Sequence, residues 1–191
     1  MEESPVCTYL FSGKRKSGKD FLTDRLYEKL NKDKAVVLKI SGPIKSHWAK
    51  SKNLSYDDLL NSSEYKEQHR KDMIEWSESI RKEDYGYFCS AAVNMYNAKT
   101  KPIWIVSDIR RKTDIRWFKE NYNVVKTVRV ICDEDVRKQR GWEFSEGIDD
   151  KESECDLDCY DDWDLIIENN GKTDVDEILN KIVIDMESHL Q

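Results

Sequence analysis

Two glycines, a lysine and a carboxylate stand at fixed spacing in Gly13-Lys14-Arg15-Lys16-Ser17-Gly18-Lys19-Asp20. The pattern Gly, four free positions, Gly-Lys, then Ser or Thr folds so that main-chain N–H groups converge on phosphate oxygens. Its lysine adds a point charge. Here Asp20 occupies the position where the hydroxyl is usual, and Lys14, Arg15 and Lys16 place three more cations in the same turn. Read alone, the stretch is also compatible with a basic surface turn, so its flanks decide. Before it runs Val6-Cys7-Thr8-Tyr9-Leu10-Phe11, short, β-rich and mostly apolar; after it Leu22, Leu26 and Leu30 recur at helical spacing. Strand, glycine loop and helix together set a bound phosphate at a helix N-terminus.

A second cluster leaves another apolar run. Ile105-Val106-Ser107-Asp108-Ile109-Arg110-Arg111 presents one carboxylate and two guanidiniums at a strand end. Asp108 is expected to hold magnesium, directly or through water. Arg110 and Arg111 offer planar forks for phosphate or carboxylate oxygens. A third cluster, Arg137-Lys138-Gln139-Arg140-Gly141-Trp142, sets Arg137 and Arg140 one helical turn apart, where they could face the same anion. Gly141 and Gly147 suit a short lid whose closure excludes water from phosphoryl transfer. Lys66 and Arg70, four apart, share one helical face. Tyr65, His69, Met73, Trp76 and Ile80 form a stripe better suited to packing than to a cofactor, and His69 is expected to pack rather than to catalyse.

Two signals are declined. Asp156-Leu157-Asp158 begins like a calcium loop, but Tyr160 and Asp161 fill positions where a ligand and a glycine are needed. Cys155 and Cys159 lack the further Cys or His pair of a zinc site. The acidic run from Glu143 to Asp164 is expected to be a solvated loop.

These residues need a scaffold. With 191 residues the chain suits one domain with a substantial core. Charged residues make up 37% and the net charge is −6, which argues against nonspecific binding to nucleic acid or anionic membranes, so anions must be captured by local cation clusters. No segment has the length and apolarity of a membrane span, and Met1–Pro5 lacks a signal peptide's charge pattern. Five scattered cysteines fit reduced thiols better than a disulfide framework. Strand-like runs at 35–40, 103–106, 124–131 and 165–167 alternate with helical patterns at 63–81, 87–97, 112–121 and 174–189. That alternation predicts an α/β parallel sheet covered by helices. More than sixty residues between the second and third strands read as a helical insertion beside the C-terminal strand ends, where ligands bind.

With these clusters in place, the chain closely resembles the animal-type phosphomevalonate kinases. The shared residues are Phe11 to Asp20, Ile40-Ser41-Gly42-Pro43-Ile44-Lys45, Tyr65-Lys66-Glu67 leading into Arg70-Lys71-Asp72-Met73-Ile74, and Val106-Ser107-Asp108 with Arg110-Arg111. Gln139-Arg140-Gly141-Trp142, Glu152-Ser153-Glu154-Cys155 and Ile167-Glu168-Asn169 continue the match. In that family Asp20 is the expected letter. The resemblance implies a three-layer P-loop kinase fold in one domain, with a central parallel sheet of about five strands. It also implies a substrate-binding insertion over about 41–101 and a lid over about 137–155. The activity implied is transfer of the ATP γ-phosphoryl group to 5-phosphomevalonate, with Mg2+ as cofactor and the metal near Asp20 and Asp108. ATP would lie against residues 14–20, including Ser17 and Gly18, and against Arg137, Arg140 and Asn170. Lys45, Arg70, Arg81, Arg110, Arg111 and Asn169 would hold phosphomevalonate. Lys19, Arg15, Arg110 and Arg140 would carry catalysis. A monomer in the cytosol is expected, because Ser188-His189-Leu190 is followed by Gln191 and no peroxisomal tripeptide is terminal. A nucleoside monophosphate kinase or a non-catalytic nucleotide-binding module are the alternative readings.

Overall fold

Period-two alternation in one strand organises the whole molecule. In the computed structural model β1 (Cys7–Gly13) is buried almost throughout and lies at the centre of a five-stranded sheet. Its neighbours are β2 (Ala35–Leu38), β3 (Ile103–Val106), β4 (Val125–Ile131) and β5 (Leu165–Glu168), in the spatial order β2-β3-β1-β4-β5. All four pairings are parallel. The structure describes residues 5–61 and 63–190; side chains at 58 and 60–68, and with them the readings made on Tyr65 and Lys66, lie outside it, as do residues 1–4 and Gln191.

Tyr9 and Phe11 point to one face of the sheet, Leu10 to the other. On the first face they meet Leu22 and Leu26 of α1 (Lys19–Lys29) and Leu179, Ile182 and Met186 of α9 (Val175–Ser188). On the second face Leu10, Trp104 and Val106 pack against Phe88, Ala92 and Val93 of α5 (Tyr87–Met95). Ile115 and Phe118 of α6 (Lys112–Asn121) complete that layer. Burying a side chain such as Phe11 or Phe118 contributes about 1.5–3 kcal/mol. The result is three layers, helix, sheet, helix, as expected.

Between β2 and β3 run α2 (Ser41–Lys52), α3 (Tyr56–Asn61), α4 (Ser63–Glu83) and then α5. The first three gather around a small core of Trp48, Leu59 and Met73, with Trp76 stacked on His47 at 4.2 Å. α5 is instead the crossover helix lying on the sheet, so the insertion is shorter at its C-terminal side than the sequence suggested. After β4 come two short helices, α7 (Glu134–Gln139) and α8 (Glu152–Cys155), before the edge strand β5. Strand ends at Gly13, Leu38, Val106, Ile131 and Glu168 therefore share one rim, above which the remaining elements converge.

Candidate active site

The glycine loop closes over that rim between β1 and α1. Lys16 and Gly18 both take positive φ, 61° and 86°. A Cβ on Gly18 would collide with the side-chain amide of Asn169, and one on Gly13 would sit 2.6 Å from Ser17 Oγ and 2.9 Å from the Val130 carbonyl. Both glycines of the pattern are thus demanded by close approach. Lys19, only 8% exposed, opens α1; its ammonium donates to the Ser107 carbonyl and, at 2.5 Å, to Asp20 Oδ1. The Ser17 carbonyl accepts from Asn169 Nδ2 at 2.8 Å and from Arg140 Nη1 at 3.0 Å, while Arg140 Nη2 donates to the Asn169 carbonyl at 2.9 Å.

Three expectations change here. Asn169 does not line the acceptor cavity; its amide is committed to the loop. Asn170 accepts the Asp133 N–H at 2.8 Å and so ties the end of β5 to the start of α7. Arg137 lies over the Trp142 ring at 3.9 Å while Arg140 bridges loop carbonyls, so the two guanidiniums have separate partners.

Beside the loop a cavity of about 190 Å³ opens between Lys19 and Asp20, the β2–α2 turn, α4 and the β3–α6 turn. α4 contributes Arg70, Ile74, Ser77, Glu78 and Arg81, spaced so that they form one helical face. Lys39 and Lys45 enter from the second wall, Arg110 and Arg111 from the third. Most of the lining cations named by the sequence are therefore gathered in one space. Each arginine already has a carboxylate partner: Arg110 pairs with Glu154, Arg111 with Glu78, Arg81 with Asp114 at 2.5 Å, and Arg70 lies 3.8 Å from Glu154. Burial would lower the Arg110 guanidinium, but Glu154, with Asp108 and Asp20 behind it, raises it instead. Arg111 is 5% exposed, and its Nη1 is buried without a hydrogen-bond partner, an unmet donor at the wall of the cavity.

Asp20 stands at the mouth with 71% of its side chain accessible. Partial enclosure would raise its carboxyl, but Lys19, with Lys39 and Arg110 farther off, outweighs that and holds it below its usual value. Asp108 corrects another expectation. One carboxylate oxygen accepts the Ile40 N–H and the other the Ser41 N–H at 3.0 Å, so it pins the start of α2 rather than standing open for a metal. No group of three His, Cys, Asp or Glu suited to a metal occurs among the described residues. A single exposed carboxylate beside a phosphate cradle nevertheless suits magnesium, which takes one or two carboxylates and completes its shell with phosphate and water.

The acidic run from Glu143 to Asp164 is not simply solvated. Asp149 accepts from Arg15 at 2.7 Å, Asp158 from Lys14 at 2.5 Å and from Arg129 at 3.2 Å, and the Glu154 side chain is 4% exposed in the cavity. Arg129, on β4, also donates to Ser12 Oγ at 2.9 Å. Lys39, Glu78, Arg129, Asp149 and Glu154 are site residues the sequence reading missed. Of these Glu78 carried a local signal, at i+8 from Arg70 on the face of α4, and Glu154 lay within the matched stretch Glu152-Ser153-Glu154-Cys155.

Comparison with known proteins bears on this geometry. The family model described as phosphomevalonate kinase matches residues 11–124. A phosphomevalonate kinase of Drosophila melanogaster is 45% identical over 173 residues, spanning 88% of this chain and 91% of that protein. Among solved structures, a gluconokinase from Sinorhizobium meliloti aligns with a TM-score of 0.50 at 10% identity, over 97% of this chain and 94% of that one. That last likeness concerns the fold alone.

Proposed function

This chain belongs to the phosphomevalonate kinase family, and we propose that it transfers the γ-phosphoryl group of ATP to the phosphate of 5-phosphomevalonate. The products are diphosphomevalonate and ADP. One observation carries the assignment: a cation-lined cavity opens directly onto the loop lysine, so two anions can be held with Lys19 and Asp20 between them.

The acceptor is already an oxyanion, so no strong general base is needed. The obstacle is bringing two polyanions together, and the residues address it by charge and position. Residues 14–20 cradle the ATP phosphates through main-chain N–H groups, with Lys19 on the phosphates that react and Arg15 reaching them from the loop. Arg140 keeps the loop backbone fixed from the β5 side. Lys45, Arg70, Arg81, Arg110 and Arg111 hold the phosphate and carboxylate of phosphomevalonate, with Lys39 added from the structure. Bound magnesium would neutralise charge across the β- and γ-phosphates, and Asp20 is the residue suited to hold its shell. Substrate anions compete with Glu154, Glu78, Asp149 and Asp158 for the same cations. Exchanging a carboxylate partner for a substrate anion keeps those cations paired through the cycle. Within one domain, helices α2 to α4 supply the acceptor side, and the segment 137–155 covers the loop.

A coupled assay with MgATP, phosphomevalonate and a panel of nucleoside monophosphates tests this reading. Turnover of phosphomevalonate alone is expected. Turnover confined to the nucleotides would move the chain to nucleoside monophosphate kinases, and ATP binding without turnover would make it a binding module.

A further inference from the structure

Asp114 is fully buried at the third position of α6, and the mechanism above does not use it. One of its oxygens accepts the main-chain N–H groups of Arg110 and Arg111, each at 3.1 Å. The other accepts Arg81 Nη1 at 2.5 Å and the Cys89 thiol at 3.7 Å. A carboxylate withdrawn from water is costly unless its lone pairs are filled, and here four donors from three segments fill them.

An ordinary helix cap explains only part of this. Capping α6 requires the amide of Arg111, but not the guanidinium of Arg81, which arrives from α4, a helix on the far side of the cavity. Through that second arm one carboxylate fixes the backbone beneath two cavity arginines and the side chain of a third. The guanidiniums of Arg110 and Arg111 are left to point outward, toward Glu154 and Glu78. Arg81 is further held over the Phe88 ring at 5.3 Å. Without the carboxylate, Arg81 would lose its ion-pair partner and keep only the more distant charge of Glu78, while the β3–α6 turn lost two of its hydrogen bonds.

We propose that Asp114 is the positioning residue of the acceptor cavity, setting Arg81, Arg110 and Arg111 in mutual register for an anionic substrate. The inference rests on assigning that cavity to phosphomevalonate. It acts through the arginines and touches no substrate itself.

Asp114→Asn tests it, because the amide NH2 must face either the Arg81 guanidinium or the two main-chain N–H groups and so breaks one arm. KM for phosphomevalonate is expected to rise about tenfold or more, since small misplacements of a binding group are costly. KM for ATP should stay within about twofold of wild type, because the ATP loop does not touch Asp114. In parallel, the rise in Tm caused by phosphomevalonate should shrink while that caused by ATP persists. Asp164→Asn serves as control: it removes a carboxylate that accepts from the Thr127 N–H and Oγ1, both at 2.8 Å, away from the cavity. That variant should lose stability with both KM values unchanged. If Asp114→Asn does not fold, Asp114→Glu keeps the charge, shifts it by one methylene, and is expected to give the same split. A wild-type KM for phosphomevalonate in whichever variant folds, or equal rises in both KM values, overturns the inference. A wild-type chain that ignores phosphomevalonate overturns the cavity assignment first, and this inference with it.

Discussion

Lys19 sits where its charge is least screened, nearly buried between the Ser107 carbonyl and Asp20. Replacing it with alanine leaves that carbonyl without its donor, a cost of about 1 kcal/mol, which moves Tm by about 2–4 °C in a domain of this size. The expected loss to catalysis is larger, because in the proposed mechanism the ammonium stabilises charge that develops on the transferring phosphates. Lys19→Ala is expected to lower kcat by about 10²–10³-fold; a preserved Tm with near-normal turnover would contradict the role. In the proposed mechanism Arg111 serves the other substrate. Its buried, unmatched Nη1 is a donor awaiting an anion, so Arg111→Ala should raise KM for phosphomevalonate about tenfold or more. Steady-state kinetics with each substrate varied decides this: an effect confined to the KM of ATP would assign Arg111 to the wrong ligand.

Elements decide which of these residues can meet. Edge strand β5 has four residues and pairs only with β4, yet the two asparagines that follow it hold the loop and the start of α7. Its entry is pinned by Asp164. Burial would raise that carboxyl, but the main-chain N–H and hydroxyl of Thr127 outweigh it and hold it below the usual value of 3.8. A carboxyl lowered on folding stabilises the protein above its unfolded value and ceases to do so as pH falls through the lowered one. The Tm gap between wild type and Asp164→Asn should therefore be full above pH ~4 and close under more acidic conditions. A gap independent of pH would show that the charge is irrelevant. Strands and the helices on them were legible in the sequence because burial imposes periods of two and 3.6. The position of α5 was not, since its apolar face suits a sheet or an insertion equally well. On α4 the packing stripe of Met73, Trp76 and Ile80 was visible, whereas the face running from Arg70 through Ser77 to Arg81 was read only at its two end arginines. The acidic segment was misread because its partners are remote: Asp149 lies 134 residues from Arg15 and Asp158 lies 144 from Lys14. Asp108 was misread for a related reason, as its partners are main-chain amides that no side-chain pattern announces.

At the scale of the whole molecule, a chain of net charge −6 can hold polyanions because it gathers a cluster of cations at one rim of the sheet. The same concentration fastens the acidic segment over the loop. The two attachments differ in kind from the core: the sheet layers rest on Phe11, Trp104, Phe118 and their neighbours at essentially zero exposure, whereas α7 has no buried residue. The segment has apolar anchors in Trp142, Ile148 and Leu157. Its remaining attachment to the loop is ionic: the Arg15–Asp149 side chains are 19% and 8% exposed, and those of the Lys14–Asp158 pair 28% and 38%. Pairs as exposed as the latter contribute about 0–1 kcal/mol each and are weakened by salt. Opening of this segment should thus cost much less than unfolding of the sheet, as covering and uncovering a kinase site requires. Amide hydrogens between residues 143 and 159 are expected to exchange faster than those of β1 and β4. Raising salt to about 0.5 M, where the screening length falls below about 5 Å, should accelerate the segment and leave the strands unchanged. Equal protection of segment and strands, or acceleration of both by salt, would mean that the acidic segment is part of the rigid core and does not open as a unit.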